Sequence, residues 1–383
     1  MKKKLAILLT TVLVFGMTLT GCGNDGGAAA PADDGQKVEE DAGDAKDEED
    51  AGDTEQPADT EEENEGTSEA SELKVAFITP QATGDNGPVD DIMLAVDRVK
   101  NDYGIEVQVV EALDTTDQED AVRSFATEGY DVIFTLFQQF VEPVRKIAPD
   151  YPDTKFVMIY ATDDLSMDNV VAYAYDAWET SYAAGVLAAS MSESGILGNV
   201  VGYEDDTIIA NSNAFLAGAQ TVNPNATVKR INAASFEDPA KGKEVGNQLI
   251  ADGADVIFTD AARTSLGVIE AAQEASGDVF IIGDNADHSA LAPSAVIGDN
   301  IYGYGNTLYN QISDIVAGKF ESGVIVCSVG NGISVLQTYD NFGSDGASDE
   351  LKSKYTAAVE ATNAVIEQIK NGEVTVEKDT SAK

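Results

Sequence analysis

Histidine is almost absent from this chain: His288 is the only one in 383 residues. A Ser-His-Asp relay could be completed only through that residue, and a zinc site built from several imidazoles is excluded. Cations are scarce as well. Twenty-three Lys and Arg face 68 Asp and Glu, for a formal net charge of −45. That balance argues against a surface built to meet the phosphates of a nucleic acid. Cysteine is limited to Cys22 and Cys327, too few for a disulfide framework. No Gly-x-x-x-x-Gly-Lys-Ser/Thr phosphate loop and no Gly-x-Ser-x-Gly nucleophile elbow occurs. Gly303-Tyr304-Gly305 lacks the third glycine of a dinucleotide fingerprint and follows no convincing strand. Neither cofactor nor metal is expected, and the absences weigh against an enzyme. Adjacent carboxylates such as Asp90 and Asp91, or Asp205 and Asp206, read as solvated surface on so acidic a chain.

The N-terminus carries targeting information. Lys2, Lys3 and Lys4 precede an apolar stretch over residues 5–17, shorter than the ~20 residues needed to span a bilayer. Leu19-Thr20-Gly21-Cys22 follows directly and resembles the lipobox of bacterial lipoproteins. That resemblance implies a signal peptide over residues 1–22, lipidation of Cys22, and a protein anchored on the extracytoplasmic face of the cell membrane. Residues 23–72 hold about twenty of the 68 acidic residues and almost no large apolar side chain. Such a segment cannot bury enough surface to offset its ordering entropy, so it reads as a disordered tether, with a reach on the order of 40 Å. With Cys22 lipidated, Cys327 has no partner and reads as a buried thiol in the apolar run 323–329.

From Lys74 onward strand and helix patterns alternate. Val75-Ala76-Phe77-Ile78 is the nearly continuous apolar run of a strand buried on both faces. A polar loop, residues 79–91, leads into a helix opened by Pro88. Further strands are expected at 107–112, 132–136, 155–159 and 170–175, with helices at 117–128, capped by Asp117, and 142–148. A second series places helices at 182–191, 210–222, 239–252 and 265–275 between strands at 199–202, 227–232, 255–259 and 279–283. A strand at 295–297, a helix at 302–317, short strands at 324–328 and 335–339, and a terminal helix at 348–370 complete the reading. This is an α/β protein of two doubly wound lobes with a hinge and an interlobe cleft. The expected boundaries are residues 73–178 and 286–325 for the first lobe, 179–285 and 326–346 for the second, and 347–383 for a C-terminal helix and tail.

Ligands of open α/β sheets bind beyond the carboxyl ends of the strands. The residues at those junctions able to accept hydrogen bonds or wall in a flat solute are therefore the candidates. They are Asp85 and Asn86; Phe137 and Gln138; Trp178; Phe236 and Asp238; Ala262 and Arg263; Asn285 and Asp287.

A series of motifs then identifies a relationship. Glu179-Thr180-Ser181-Tyr182-Ala183-Ala184-Gly185, Phe215-Leu216-Ala217-Gly218-Ala219 with Asn223-Pro224, and Ser235-Phe236-Glu237-Asp238 with Gly242-Lys243 resemble the BMP (basic membrane protein) family. Gly253-Ala254-Asp255-Val256-Ile257-Phe258 and Gly318-Lys319-Phe320 extend the likeness over residues 74–341. The resemblance implies the type I periplasmic-binding-protein fold (class B) with three interlobe crossovers. It also implies the substrate-binding role of an ABC importer, partnered by a permease, with a nucleoside or other small polar solute as ligand. In the family's first loop Asp85 is kept, while Pro88 and Val89 stand where Phe and Asn are usual. Asn285 stands where an Asp commonly grips ribose, Phe236 keeps an aromatic that packs on the base, and Ala262-Arg263 replaces a small pair. Losing an Asp and a following Lys while gaining an Arg changes which polar groups a ligand must offer. The same fold would also suit a lipoprotein sensor or surface adhesin that imports nothing.

Overall fold

The computed structural model describes residues 72–381; the leader, Cys22 and nearly all of the acidic run lie outside the described residues. β1 (Val75–Thr79) is buried along its whole length. Its alternate side chains serve opposite faces, as the two-residue period of a strand demands. Val75 and Phe77 pack with Ile92 and Val99 of α1 (Pro88–Tyr103), whereas Ala76 and Ile78 pack with Val122 and Phe125 of α2 (Thr115–Thr127). β2 (Val107–Glu111), β3 (Val132–Leu136), β4 (Lys155–Ile159) and β5 (Val170–Tyr175) join it, and α3 (Val141–Ile147) covers one face. β11 (Gly323–Cys327) adds to the edge at β5, giving an all-parallel sheet in the order β11-β5-β4-β3-β1-β2.

The second lobe repeats the design. α4 (Ala177–Met191), β6 (Ile196–Val201), α5 (Asp206–Val222), β7 (Thr227–Asn232), α6 (Pro239–Ala251), β8 (Val256–Asp260), α7 (Ser265–Gln273), β9 (Phe280–Asp284) and β10 (Val296–Ile301) follow in order. Its sheet runs β12-β10-β9-β8-β6-β7, parallel except for β12 (Val335–Gln337), which is antiparallel to β10. α8 (Tyr304–Val316) returns to the first lobe, where Tyr304, Leu308 and Ile312 share a core with Val75 and Phe77. α9 (Asp349–Lys370) docks on the second, with Tyr355 and Ala358 in one core with Ala183 and Leu187 of α4.

Three differences from the sequence reading have physical causes. Residues 286–301, expected in the first lobe, belong to the second: β10 pairs with β9 in register Asp299 with Gly283. The connection 285–295 has no helix to carry the chain across, and the available edge of the first sheet is taken by β11. α4 begins at Ala177 rather than 182, because the Thr180 and Ser181 hydroxyls donate to the Ala177 carbonyl (both 2.9 Å) and stay compatible with the first turn. α2 begins at Thr115 behind Asp114, and Asp117 sits within its first turn instead of capping it.

The chain crosses between lobes three times: at Asp176, at residues 302–303 and over residues 328–334. These crossings are tied together. Asp176 N donates to Cys327 O (2.8 Å), Val329 N to Glu179 Oε2 (3.0 Å), and Ser334 Oγ to Tyr302 O (2.9 Å). Gly303 has φ +86°, and a side chain there would run into the Ile333 carbonyl at 2.2 Å. Beyond α9 the chain runs back to this region: Trp178 Nε1 donates to Val376 O (3.1 Å), and Asn213 Nδ2 to the carbonyls of Asp379 (2.7 Å) and Ser381 (2.9 Å).

Candidate ligand-binding site

Between the lobes, at the carboxyl ends of both sheets, lies a cavity of about 360 Å³, at the small end of the range for small-molecule sites. The first lobe supplies Gln81 and Pro88 from the β1–α1 loop, Phe137, Gln138 and Gln139 after β3, and Tyr160 after β4. The second supplies Asp205, Ile208 and Asn211 of α5 and its cap, Phe236 after β7, Asp260 and Ala262 after β8, and Asp284 and Asn285 after β9. Tyr302 and Tyr304 come from the middle crossing. Spacing accounts for the α5 contribution, since residues 205, 208 and 211 recur every three positions on one helix face.

The walls are aromatic. Phe137 meets Tyr160 edge-on at 5.6 Å between centroids and Tyr304 at 6.3 Å, and Tyr302 packs on Tyr304 at 5.8 Å. Phe236 stands against Tyr203 (5.4 Å) and fills the space over Gly202, where an added methyl would lie 2.2 Å from its ring. Phe137, Tyr160, Ala262 and Asn285 all hold positive φ, at 72°, 59°, 45° and 58°.

The floor is polar and buried. Asp260 Oδ2 accepts from Asn211 Nδ2 (3.0 Å) and Tyr302 OH (3.1 Å). Asp284 Oδ1 accepts from Ser265 Oγ (3.0 Å) and its Oδ2 from Asn285 Nδ2 (3.1 Å). Burial first, and then the Asp284 charge, push the Asp260 carboxyl up to about 7. Burial likewise raises Asp284, against the pull of His288 and the hydrogen bond from Ser265.

Of the sequence-derived candidates, Phe137, Gln138, Phe236, Ala262 and Asn285 line this cavity. The others have different positions. Asp85 is buried behind it, its carboxylate accepting from the amides of Gly87 (2.9 Å), Val89 (3.1 Å) and Asp90 (3.1 Å). Burial raises its pKa in spite of these bonds. Asn86 is exposed, its amide held by Asp90 Oδ2 (2.8 Å). Asp238 caps α6 by accepting from Lys241 N (3.0 Å). Arg263 is exposed on the turn that Ala262 opens, and Asp287 is exposed and accepts from Ser289 N (2.9 Å) and Gln337 Nε2 (3.2 Å). Trp178 lines a neighbouring cavity of about 530 Å³, with Tyr160, Asp205 and Lys378 also in its wall. Sequence reasoning missed Tyr160, Asn211, Asp260, Asp284, Tyr302 and Tyr304. The usable signal was an aspartate closing each of two apolar strand runs, at 256–260 and 280–284.

His288 lies beneath the floor and not in the lining. Its Nδ1 is 2.7 Å from Asp299 Oδ1, and its amide donates to Asp299 Oδ2 (3.0 Å). Burial alone would lower the imidazole pKa, but the Asp299 carboxylate outweighs it and the net shift is upward.

Comparison with known proteins places this architecture. The chain is 28% identical to a purine-binding protein of Brucella abortus over 284 residues, 73% of this chain and 79% of the relative. It is 26% identical to basic membrane protein A of Borreliella burgdorferi over 66% of this chain and 75% of that one. Among solved structures, an ABC transporter solute-binding protein of Aeropyrum pernix superposes with a TM-score of 0.70 at 21% identity, covering 80% of this chain and 94% of that one. A solute-binding protein of Conexibacter woesei superposes at 0.65 with 26% identity, over 80% and 99%. The family model described as ABC transporter substrate-binding protein, PnrA-like, matches residues 72–380, and the chain belongs to that family, also called Bmp.

Proposed function

We propose that this substrate-binding protein is lipidated at Cys22, is held on the extracytoplasmic face of the membrane, and delivers a small polar solute from the interlobe cavity to an ABC permease. The observation that carries the reading is the cavity itself: aromatic walls from both lobes close over a buried polar floor at the carboxyl ends of two parallel sheets. Only the closed arrangement of the lobes would bury a solute from both sides, so ligand would bias the hinge toward closure. The family is described as substrate-binding proteins of ABC transporters, which supports reading this chain as a binder of solute rather than an enzyme. Purine binding by the Brucella relative puts nucleosides and bases first among the solutes to be tried. The acidic segment would serve as the tether between anchor and body.

A thermal-shift screen of the full chain against nucleosides, bases, sugars and amino acids tests this. A ligand at 100 times its dissociation constant adds about 2.7 kcal/mol of stability. We expect at least one class to raise Tm, and Phe236→Ala to weaken that ligand at least tenfold. If no class moves Tm, or if Phe236→Ala leaves affinity intact, the cavity is not the solute site.

A further inference from the structure

The charge of the cavity is one-sided. Among the described residues, three carboxylates, Asp205, Asp260 and Asp284, belong to its lining, and no Lys, Arg or His does. Asp260 and Asp284 end adjacent strands and are buried, and every side chain bonded to them is neutral: Asn211 and Tyr302 for one, Ser265, Thr259 and Asn285 for the other. The nearby histidine is committed to Asp299. Two buried carboxylates that share a site repel one another and resist ionisation, and the one cation that acts on them, His288, pulls on Asp284 from outside the lining without lowering it below its ordinary value.

A second observation points the same way. The Oδ1 atoms of Asn211 and Asn285, both residues almost wholly buried, accept from no protein donor among the described residues. Their amide orientations are fixed, because each Nδ2 donates to a carboxylate and a flip would set oxygen against oxygen. The floor thus consists of acceptors in excess of donors, beneath aromatic rings whose faces attract positive charge.

We propose that the solute is a small organic cation, with a flat or apolar body against Phe137 and Phe236 and a protonated nitrogen carrying N–H donors directed at Asp260 and Asp284. This rests on the cavity being the solute site. A cation in the cavity supplies a counter-charge that the lining does not, together with N–H donors, whereas a neutral polyol supplies only donors and an anion no counter-charge. In the empty site burial and mutual repulsion raise both carboxyls and favour a retained proton, Asp260 being pushed up to about 7. A cation must displace that proton, so its affinity rises as pH rises through that value.

Isothermal titration of the full chain with pairs alike in shape but different in charge decides the matter: 1-methyladenosine against adenosine, and benzamidine against benzamide. The cationic member of at least one pair is expected to bind tenfold or more tightly than its neutral isostere at pH 8. That preference should shrink at pH 5.5. Asp260→Asn should collapse the ratio to within threefold, with Asp284→Asn as the second variant if the first does not fold. A neutral isostere that binds as tightly as the cation, a preference indifferent to both Asn variants, or affinity for a neutral or anionic solute alone would overturn the proposal while leaving the importer reading intact. Failure of every solute class in the thermal screen, together with failure of both cations to bind, would instead remove the reading on which it rests.

Discussion

Phe137, Tyr160, Ala262 and Asn285 are four of the seven non-glycine residues with positive φ among the described residues, and all four line the cavity. Each such conformation costs about 1–3 kcal/mol, which the surrounding fold must offset. The buried carboxylates are a second expense at the same place. Asp260 is raised to about 7, by burial and then by Asp284, and Asp91 to about 6, mainly by burial. Both values lie above the unfolded one, so the native state binds more protons than the unfolded chain. The resulting stabilisation is full below about pH 4 and lost as pH climbs through 6 to 7. Without ligand, Tm should therefore fall between pH 5 and pH 8, by roughly 5 °C or more, and Asp260→Asn should flatten the slope; differential scanning calorimetry across that range would show it. These residues illustrate the limit of the sequence. Asp260 and Asp284 are read in the chain only as strand-ending acids, and nothing local says that the side chains bonded to them are neutral and that both are buried. Asp85 errs the other way: an aspartate in the right loop, spent on the amides of Gly87, Val89 and Asp90.

At the scale of elements, strand interiors were the most legible features, because a strand buried on both faces must be nearly all apolar, as 75–78 and 256–258 are. Helix starts were less so, since a hydroxyl that bonds back to its own helix, as Thr180 and Ser181 do, looks the same in sequence as one that breaks it. The α4–α5 pair shows what local pattern cannot reveal. Both helices are largely buried, and they meet backbone to backbone: a methyl on Gly185 would lie 2.0 Å from the Phe215 carbonyl oxygen, and one on Gly218 1.9 Å from that of Tyr182. No side-chain motion relieves a clash with backbone. Gly218→Val should cost more than the usual 1–3 kcal/mol of overpacking, seen as a Tm drop of at least about 8 °C or as insoluble protein. A Tm within 2 °C of the parent would mean the helices can part freely.

For the molecule as a whole, the partition into lobes was legible down to the last crossings and then failed, since a single strand, β10, can join either sheet and only pairing decides. The hinge offers a direct check on how tightly the crossings are held. Cys327 sits where the third crossing leaves β11, buried against Thr307, and burial pushes its thiol up to about 11. Reaction requires thiolate and access. Alkylation of Cys327 by iodoacetamide at pH 8, followed by peptide mass spectrometry, should thus be at least about a hundredfold slower in the native chain than in urea. Equal rates would show that the crossings part on their own.

The segment after α9 bears on how this protein can be handled. Residues 376–381 are fastened to Trp178 and Asn213, and Lys378 lies 5.4 Å above the Trp178 ring and in the wall of the cavity beside the cleft. A purification tag fused at the C-terminus would grow from chain already bonded to two helices of the second lobe, one of them starting next to the first crossing. The same position suits a reporter: an environment-sensitive dye at Lys378→Cys would sit in the wall of the cavity beside the cleft, where a change in emission on adding ligand would signal the proposed closure.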